Sequence, residues 1–457
     1  MKRVRRLLAV MAPLALTATL TLGAPPAAAA PARPAAGPAA ASPKPPASAP
    51  GVEYKATPGN AAEETPKRGM RTADMPIIPD DPRAGAEWLN DCLGSSDAQD
   101  FNGRVYNRFR WCQEFTLGAE YSKEVNGKDE VQGVNKITFQ AAAIGYNDSR
   151  STRVFFRTKP GTVKYEEWGP WDKRFTAPKL KLDITPECVP GANQPTTATC
   201  VVGKGPVRFE WAQWNNYSHW LWWNVGSSGG AGQDQVAYHQ WRIHFISEVP
   251  PGYRVTARGQ GAPNGIRCDS ATYFVKGLAS YPQACIYTGA LPFITYDDRR
   301  PNIRQHIRDA QNAPATDGVT YPKENHPKKI PGKWSPTPGS RGAPLHRVVS
   351  RDKGGPIATE NEYVKESACG QKKAINPWHP YYDATTGLPP YNTTVEDCDE
   401  YPFSSTYEGA SSLDWDFSVR NIAGPENSGA GNDLQNFYVD DRILQWPEED
   451  PFWVNVD

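Results

Sequence analysis

The chain of 457 residues has no net charge, because 50 Lys and Arg residues balance 50 Asp and Glu residues. Nucleic-acid binders usually carry a basic surface, so the total charge gives that class no support. The sequence has no Cys-x-x-Cys pair, which argues against a zinc site. It also shows no internal repeat, and beyond residue 30 it has no apolar run long enough to span a bilayer.

The first residues have the pattern of an export signal. Basic residues within 2–6 precede an apolar stretch, and the alanines at 27–30 supply small residues for cleavage. We predict a signal peptide at 1–30 and a disordered Pro- and Ala-rich linker at 31–75. The mature protein is expected to be soluble, secreted and extracellular, with no stable membrane insertion.

Eight cysteines follow the linker. An even number in an exported chain indicates disulfide bonds, and we predict that nearest neighbours pair, since each pair closes a short local loop. The predicted pairs are Cys92–Cys112, Cys188–Cys200, Cys268–Cys285 and Cys369–Cys398.

The remaining sequence predicts a multi-domain protein. Residues 76–295 contain short alternating strands separated by Gly, Pro and Asn, which indicates a β-rich, sandwich-like accessory domain. Residues 296–457 predict an α+β domain, with a helix at 301–311, another around 361–366 and a third after the glycines at 429–431.

Two features of the accessory domain allow more than one interpretation. Six tryptophans between residues 211 and 241 form either a platform for sugar rings or nucleobases, or the core of a sandwich. Residues 226–230 match the Gly-x-Ser-x-Gly motif of serine hydrolases, which requires a following helix. Residues 236–245 alternate like a strand instead, so we interpret 226–230 as a hairpin loop.

Charge is unevenly distributed in the C-terminal third. Residues 323–353 carry eight basic residues against two carboxylates, whereas residues 396–457 are strongly acidic. A basic strip facing an acidic site suits a polyanion that is cut at a metal, and an ordinary solvated loop explains the strip equally well. The basic residues are Lys323, Lys328, Lys329, Lys333, Arg341, Arg347, Arg351 and Lys353.

Carboxylates and amides concentrate between residues 399 and 433. Such oxygen donors suit Mg²⁺, Mn²⁺ or Ca²⁺, although an acidic solvated surface or the paired carboxylates of a glycoside hydrolase remain alternatives. The residues are Asp399, Glu400, Glu408, Asp414, Asp416, Glu426, Asn427, Asn432 and Asp433.

Three motifs resemble those of a known family. Residues 398–409, Cys-Asp-Glu-Tyr-Pro-Phe-Ser-Ser-Thr-Tyr-Glu-Gly, closely resemble the signature of the NucA/NucB deoxyribonucleases, a family of secreted bacterial nucleases. Residues 306–310 resemble the family's N-terminal helix motif. Residues 426–431 resemble its Asn- and Gly-containing stretch before a helix. The resemblance covers residues 296–457.

The resemblance implies a site and a mechanism. The family is similar to the His-Me finger (ββα-metal) nucleases, in which a base lies near one metal held at the adjoining helix. An aspartate replaces the usual histidine, which assigns Asp399 as the general base. Glu400 is then a ligand or orients Asp399, and Asn427 and Glu408 are the metal-ligand candidates, although alanine follows Gly409 where a second glycine is common.

His306 and Arg308 are candidates for binding the substrate, and packing or a solvated helix face explains each as well. We therefore expect an Mg²⁺- or Mn²⁺-dependent endonuclease that hydrolyses DNA with little sequence specificity. Residues 76–295 are expected to bind a polysaccharide or a cell-surface ligand. The alternative is an extracellular binding protein that uses the Trp-rich β domain and carries a degenerate nuclease fold.

Overall fold

A computed structural model describes ten segments of the chain. The predicted signal peptide at 1–30 and linker at 31–75 lie outside them. No helix in the described segments is long and apolar enough to cross a membrane. The described segments are 87–100, 102–145, 148–189, 198–217, 219–258, 263–312, 320–323, 326–370, 387–445 and 450–456.

The largest sheet has eight antiparallel strands in the order β1-β2-β3-β4-β9-β7, with β11 paired to β2 and β5 paired to β3. Polar and apolar residues alternate along β2 and β3, so that one face of each strand is buried. The strands are β1 (Arg104–Asn107), β2 (Arg110–Val125), β3 (Lys128–Gly145), β4 (Ser151–Thr158), β5 (Lys164–Glu166), β7 (Cys200–Val202), β9 (Leu221–Ser227) and β11 (Arg254–Arg258).

A second antiparallel sheet has the order β15-β12-β10-β6-β8, and it shares one apolar core with the first. Of the six tryptophans between 211 and 241, Trp211, Trp214, Trp223 and Trp241 are completely buried in this core. These four tryptophans are therefore part of the sandwich core, which was one of the two interpretations of the Trp-rich segment. The strands are β6 (Lys181–Val189), β8 (Val207–Glu210), β10 (Ala237–Ser247), β12 (Asn264–Asp269) and β15 (Ala284–Tyr287).

The serine motif at 226–230 lies where the chain passes from one sheet to the other. β9 ends at Ser227 and the next named element is a strand, β10, so the helix that a serine hydrolase requires is missing. Because β9 and β10 belong to different sheets, the segment connects two sheets, and the prediction of a simple hairpin was wrong.

The C-terminal part is built from small sheets and three helices. β16 (Phe293–Thr295) runs parallel to β20 (Pro451–Asn455), and β17 (Leu345–His346) pairs with the other edge of β20. β13 (Val275–Lys276) and β14 (Ala279–Ser280) form a hairpin, as do β18 (Glu396–Tyr401) and β19 (Ser418–Ala423). The six α-helices of the described segments are α1 (Glu87–Gly94), α2 (Pro170–Phe175), α3 (Trp211–Trp214), α4 (Pro301–Asn312), α5 (Pro356–Ala368) and α6 (Gly424–Asp440).

α6 begins earlier than the sequence indicated. The glycines at 429–431 were predicted to precede the helix, but they lie inside it. Pro425 suits the first turn, where its missing N–H leaves no hydrogen bond unmade. A Cβ atom on Gly429 would lie 2.5 Å from the guanidinium carbon of Arg300, so the glycine permits that close approach.

All four predicted disulfide pairs are present: Cys92–Cys112, Cys188–Cys200, Cys268–Cys285 and Cys369–Cys398. The strand-rich character of the chain is also confirmed, with several sheets and few helices among the described residues. The division into an accessory domain at 76–295 and a nuclease domain at 296–457 stays a prediction.

Buried ion pairs connect residues of the predicted accessory domain at 76–295 with residues of the predicted nuclease domain at 296–457. Asp450 accepts hydrogen bonds from Arg108 at 2.6 Å and from Arg267, and all three side chains are at most 5% exposed. Asp269 pairs in turn with Arg442 at 2.6 Å, and both of these side chains are completely buried. The β-rich part and the C-terminal part are therefore held together by desolvated charges as well as by apolar contacts.

Candidate active site

The residues that resemble the nuclease signature lie on a β-β-α unit. β18 and β19 are antiparallel, with Asp399 opposite Arg420, and α6 follows β19 directly. α4 packs against both strands, because Ile303 and Ile307 on one of its faces are buried in the same apolar cluster as Tyr401 of β18. This packing places the helix motif at 306–310 beside the signature strand.

A cavity of about 310 Å³ opens between β18, α5 and α6. Asp399 and Glu400 line it from β18, and Asn427 lines it from the second turn of α6. Two predicted catalytic residues and one predicted ligand therefore share a single cavity. Lys365 of α5 lines it as well.

Asp399 is held by a buried histidine. Its Oδ2 atom lies 2.5 Å from Nδ1 of His306, and Nε2 of His306 lies 2.9 Å from the hydroxyl of Ser418. His306 is completely buried and Asp399 is 8% exposed. His306 is therefore a buried hydrogen-bond partner that orients Asp399, whereas a contact with the substrate was predicted for it.

Glu400 lies beside Lys365 on the cavity wall. Its Oε1 atom accepts a hydrogen bond from the backbone N–H of Ser404 at 3.2 Å, and its Oε2 atom lies 3.6 Å from the ammonium of Lys365. Burial raises the pKa of Glu400 to about 7, with Glu362 and Asp399 adding to the rise against the opposing effect of Lys365. Glu400 therefore changes charge near neutral pH.

Replacement of Glu400 by Gln tests this titration. A carboxyl group whose pKa is higher in the folded chain binds protons more tightly there, so stability is lost as pH rises from about 4 towards 7. Gln imitates the protonated form. We expect E400Q to be more stable than the wild type at pH 8 by on the order of 2 kcal/mol, and to match it near pH 4. Urea unfolding in EDTA measures both values, and parallel pH dependences would contradict the assignment.

The disulfide Cys369–Cys398 joins two elements of the cavity wall. Cys398 immediately precedes Asp399 on β18, and Cys369 caps the C-terminus of α5, where its N–H donates to the carbonyl of Lys365 at 2.8 Å. The bond therefore joins the strand that carries Asp399 to the helix that carries Lys365. Such cross-linking keeps both side chains in a fixed geometry, which matters because small displacements of a reacting group reduce rates strongly.

Two other predicted residues lie outside the cavity lining. Both carboxylate oxygens of Glu408 contact His346, one at 2.8 Å to its backbone N–H and one at 2.7 Å to Nδ1. Arg308 donates to the carbonyl of Val456 at 2.8 Å. Glu408 is thus absent from the lining of the cavity that Asp399 and Asn427 share, and Arg308 has a contact within the fold.

Several of the remaining carboxylates have structural partners. Glu426 accepts hydrogen bonds from the backbone N–H groups of Asn302 and Ile303, at 2.8 and 3.2 Å, and so caps the first turn of α4. Asp433 pairs with Arg300 at 3.0 Å. Asp416 accepts from the N–H of Lys329 at 2.6 Å. Only part of the acidic segment is therefore available for chemistry.

None of the eight basic residues at 323–353 lines the cavity. Arg347 is buried against the aromatic rings of Phe274 and Tyr438, and Lys328 donates to the carbonyl of Phe417 at 2.6 Å. The cation in the cavity is Lys365, which sequence reasoning missed. The one signal for it was its position four residues before Cys369, whose predicted partner precedes Asp399.

Comparison with known families agrees with this geometry. The family model described as Deoxyribonuclease NucA/NucB matches residues 353–447, which include α5, β18, β19 and α6. Searches of curated proteins and of solved structures gave no match. The resemblance seen in the sequence is thus confirmed for this region. The C-terminal region of the chain carries a domain of the deoxyribonuclease NucA/NucB family.

Proposed function

We propose that the protein is a secreted, metal-dependent endonuclease that hydrolyses DNA phosphodiester bonds with little sequence specificity. The observation that carries the proposal is the convergence of Asp399 and Asn427 on one cavity, inside the region that matches the nuclease family. The β-β-α order of β18, β19 and α6 supports a relationship to the ββα-metal nucleases.

The donor atoms of the cavity fit a hard divalent cation. Glu400 and Asn427 offer carboxylate and amide oxygens, and the described residues contain no cluster of three or more His, Cys, Asp or Glu side chains that could hold a metal. Mg²⁺ commonly binds through one or two protein groups together with water and substrate phosphate, so this small set suits Mg²⁺ or Mn²⁺. Bound there, the ion would neutralise phosphate charge and stabilise the departing oxygen.

Asn427 is the proposed ligand from α6, and Asp399 is the proposed base. With Nδ1–H of His306 donating to Oδ2 of Asp399, the other carboxylate oxygen remains for the attacking water. Oδ1 of Asp399 then takes the proton as the water attacks phosphorus. With the proton on Nδ1, Nε2 of His306 accepts a hydrogen bond from the hydroxyl of Ser418, and this contact favours the tautomer that the step needs.

The alternative of a binding protein with a degenerate nuclease fold has less support. Four of its six tryptophans are core residues, and both Asp399 and Asn427 remain in the cavity. A ligand for residues 76–295, whether polysaccharide or cell-surface component, stays a proposal.

Cleavage of supercoiled plasmid tests the proposed function. The purified full chain is incubated with plasmid and Mg²⁺ or Mn²⁺, with and without EDTA. We expect nicked circles to appear and then linear and shorter DNA, and we expect EDTA to stop the reaction. Intact plasmid in both metals would overturn the nuclease proposal, and undiminished cleavage in EDTA would overturn metal dependence.

A further inference from the structure

Lys365 occupies a position that the family resemblance did not assign. Of the described residues that line the cavity, it is the one basic residue, and it faces the same space as Asp399 and Asn427. A phosphodiester entering this space meets the carboxylates of Asp399 and Glu400, which repel its negative charge. A fixed cation on the wall offsets that repulsion.

The ammonium group is held by two carboxylates. It lies 2.7 Å from Glu362, three residues earlier on α5, and 3.6 Å from Glu400, and all three side chains are 16% exposed. An ammonium group has three N–H donors. The contact with Glu362 at 2.7 Å uses one donor, whereas the contact with Glu400 at 3.6 Å is an ion pair longer than a hydrogen bond, so a donor is left for an acceptor inside the cavity.

Lys365 carries a positive charge at neutral pH. A lysine side chain is ordinarily protonated at neutral pH, and the carboxylates of Glu362 and Glu400 beside the ammonium favour that charged form. Lys365 therefore stays protonated at neutral pH and serves as a cation.

A purely structural role explains these contacts less well. A lysine in the last turn of a helix is mildly favourable, because it faces the negative end of the helix dipole. A largely desolvated ion pair, however, adds little stability compared with apolar packing. A buried cation at the wall of a cleft, beside the carboxylates of the candidate site, is typical of a functional position.

We propose that Lys365 binds a non-bridging oxygen of the scissile phosphodiester and stabilises the charge that develops on it during cleavage. The inference rests on the proposed nuclease function and names a residue that contacts its substrate. Glu362 acts as a positioning residue that holds the ammonium, and the Cys369–Cys398 disulfide fixes α5 relative to Asp399.

The test combines cleavage with DNA binding. Lys365→Gln is expected to lower the cleavage rate by about 10²–10³-fold, as the loss of one transition-state donor does elsewhere. DNA affinity is measured at several salt concentrations in the Asp399→Asn background, where cleavage is expected to be about a thousandfold slower. Removing one phosphate contact should reduce the slope of log affinity against log salt by about 1. Lys365→Arg keeps the charge and should retain most of that slope.

Lys128→Gln, at an exposed position on β3, controls for the loss of one positive charge and should change neither quantity. Wild-type rates with an unchanged salt slope in Lys365→Gln would overturn the inference and leave the nuclease function standing. If Lys365→Gln lowered the cleavage rate but left the salt slope unchanged, Lys365 would have a structural role. If it lowered the salt slope but left the rate at the wild-type value, Lys365 would contact DNA away from the scissile phosphate. Either result would contradict the proposal. Absence of cleavage by the wild type would instead refute the proposed function.

Discussion

Asp399→Asn is expected to reduce DNA cleavage by about a thousandfold while the protein remains folded. Asn has the shape of Asp, and its amide oxygen can still accept the hydrogen bond from Nδ1 of His306. What the variant loses is the carboxylate oxygen that takes the proton from the attacking water. The rate is measured on supercoiled plasmid at saturating Mg²⁺, and thermal unfolding is followed in parallel.

Asp414→Asn is the matched control. Asp414 belongs to the same acidic segment, but its side chain is exposed and it does not line the cavity. Its replacement by Asn changes the same chemical group and should leave the cleavage rate within about twofold, since surface substitutions away from a site have small effects. If Asp399→Asn cut plasmid as fast as Asp414→Asn, Asp399 would not be the base.

The largest loss of stability is expected from Asp450→Ala. The carboxylate of Asp450 joins Arg108 and Arg267, and it also accepts the backbone N–H of Leu444 at 2.9 Å. Removing one partner from a buried ion pair leaves an uncompensated charge, which costs about 3–5 kcal/mol. The loss should appear as a lower midpoint of urea unfolding, followed by tryptophan fluorescence at pH 7.

The pH dependence of the stability lost in Asp450→Ala tests the same ion pairs in a second way. Burial alone would raise the pKa of Asp450, but Arg108 and Arg267 lower it to about 2. A lowered pKa means that the stabilisation is present above about pH 4 and is lost as pH falls towards 2. The difference between wild type and Asp450→Ala should therefore shrink over that range. Asp129→Ala breaks the exposed pair with Arg254, should cost less than about 1 kcal/mol, and serves as the control.

The sequence predicted the arrangement of the candidate site best where residues adjacent in sequence share one element. β18 carries Asp399 and Glu400, and the apolar spacing of Ile303 and Ile307 gave α4 and its buried face. Disulfide pairs were also predictable, because each closes a local loop. These features depend on short-range periodicity and spacing, which a single sequence contains.

The parts that were missed depend on long-range contacts. Glu426 was counted among the possible metal ligands, but its carboxylate caps α4, which begins more than a hundred residues earlier in the chain. Glu408 is bound to His346, and Lys365 reaches the cavity only because α5 packs against β18. No periodicity or spacing specifies which distant side chains share a hydrogen bond. The start of α6 was misplaced because glycine usually ends helices, whereas here close packing against Arg300 requires Gly429.

A metal titration of plasmid cleavage tests most directly whether Asn427 holds the metal and Asp399 acts as the base. The rate is measured across Mn²⁺ concentrations for the wild type, Asn427→Ala and Asp399→Asn. We expect Asn427→Ala to need at least about tenfold more Mn²⁺ for half-maximal cleavage, and to recover part of its rate at high Mn²⁺. Asp399→Asn should reach half-maximal cleavage at the wild-type Mn²⁺ concentration, with a maximal rate about a thousandfold lower. An unchanged Mn²⁺ requirement in Asn427→Ala, or a wild-type maximal rate in Asp399→Asn, would contradict this account of the site.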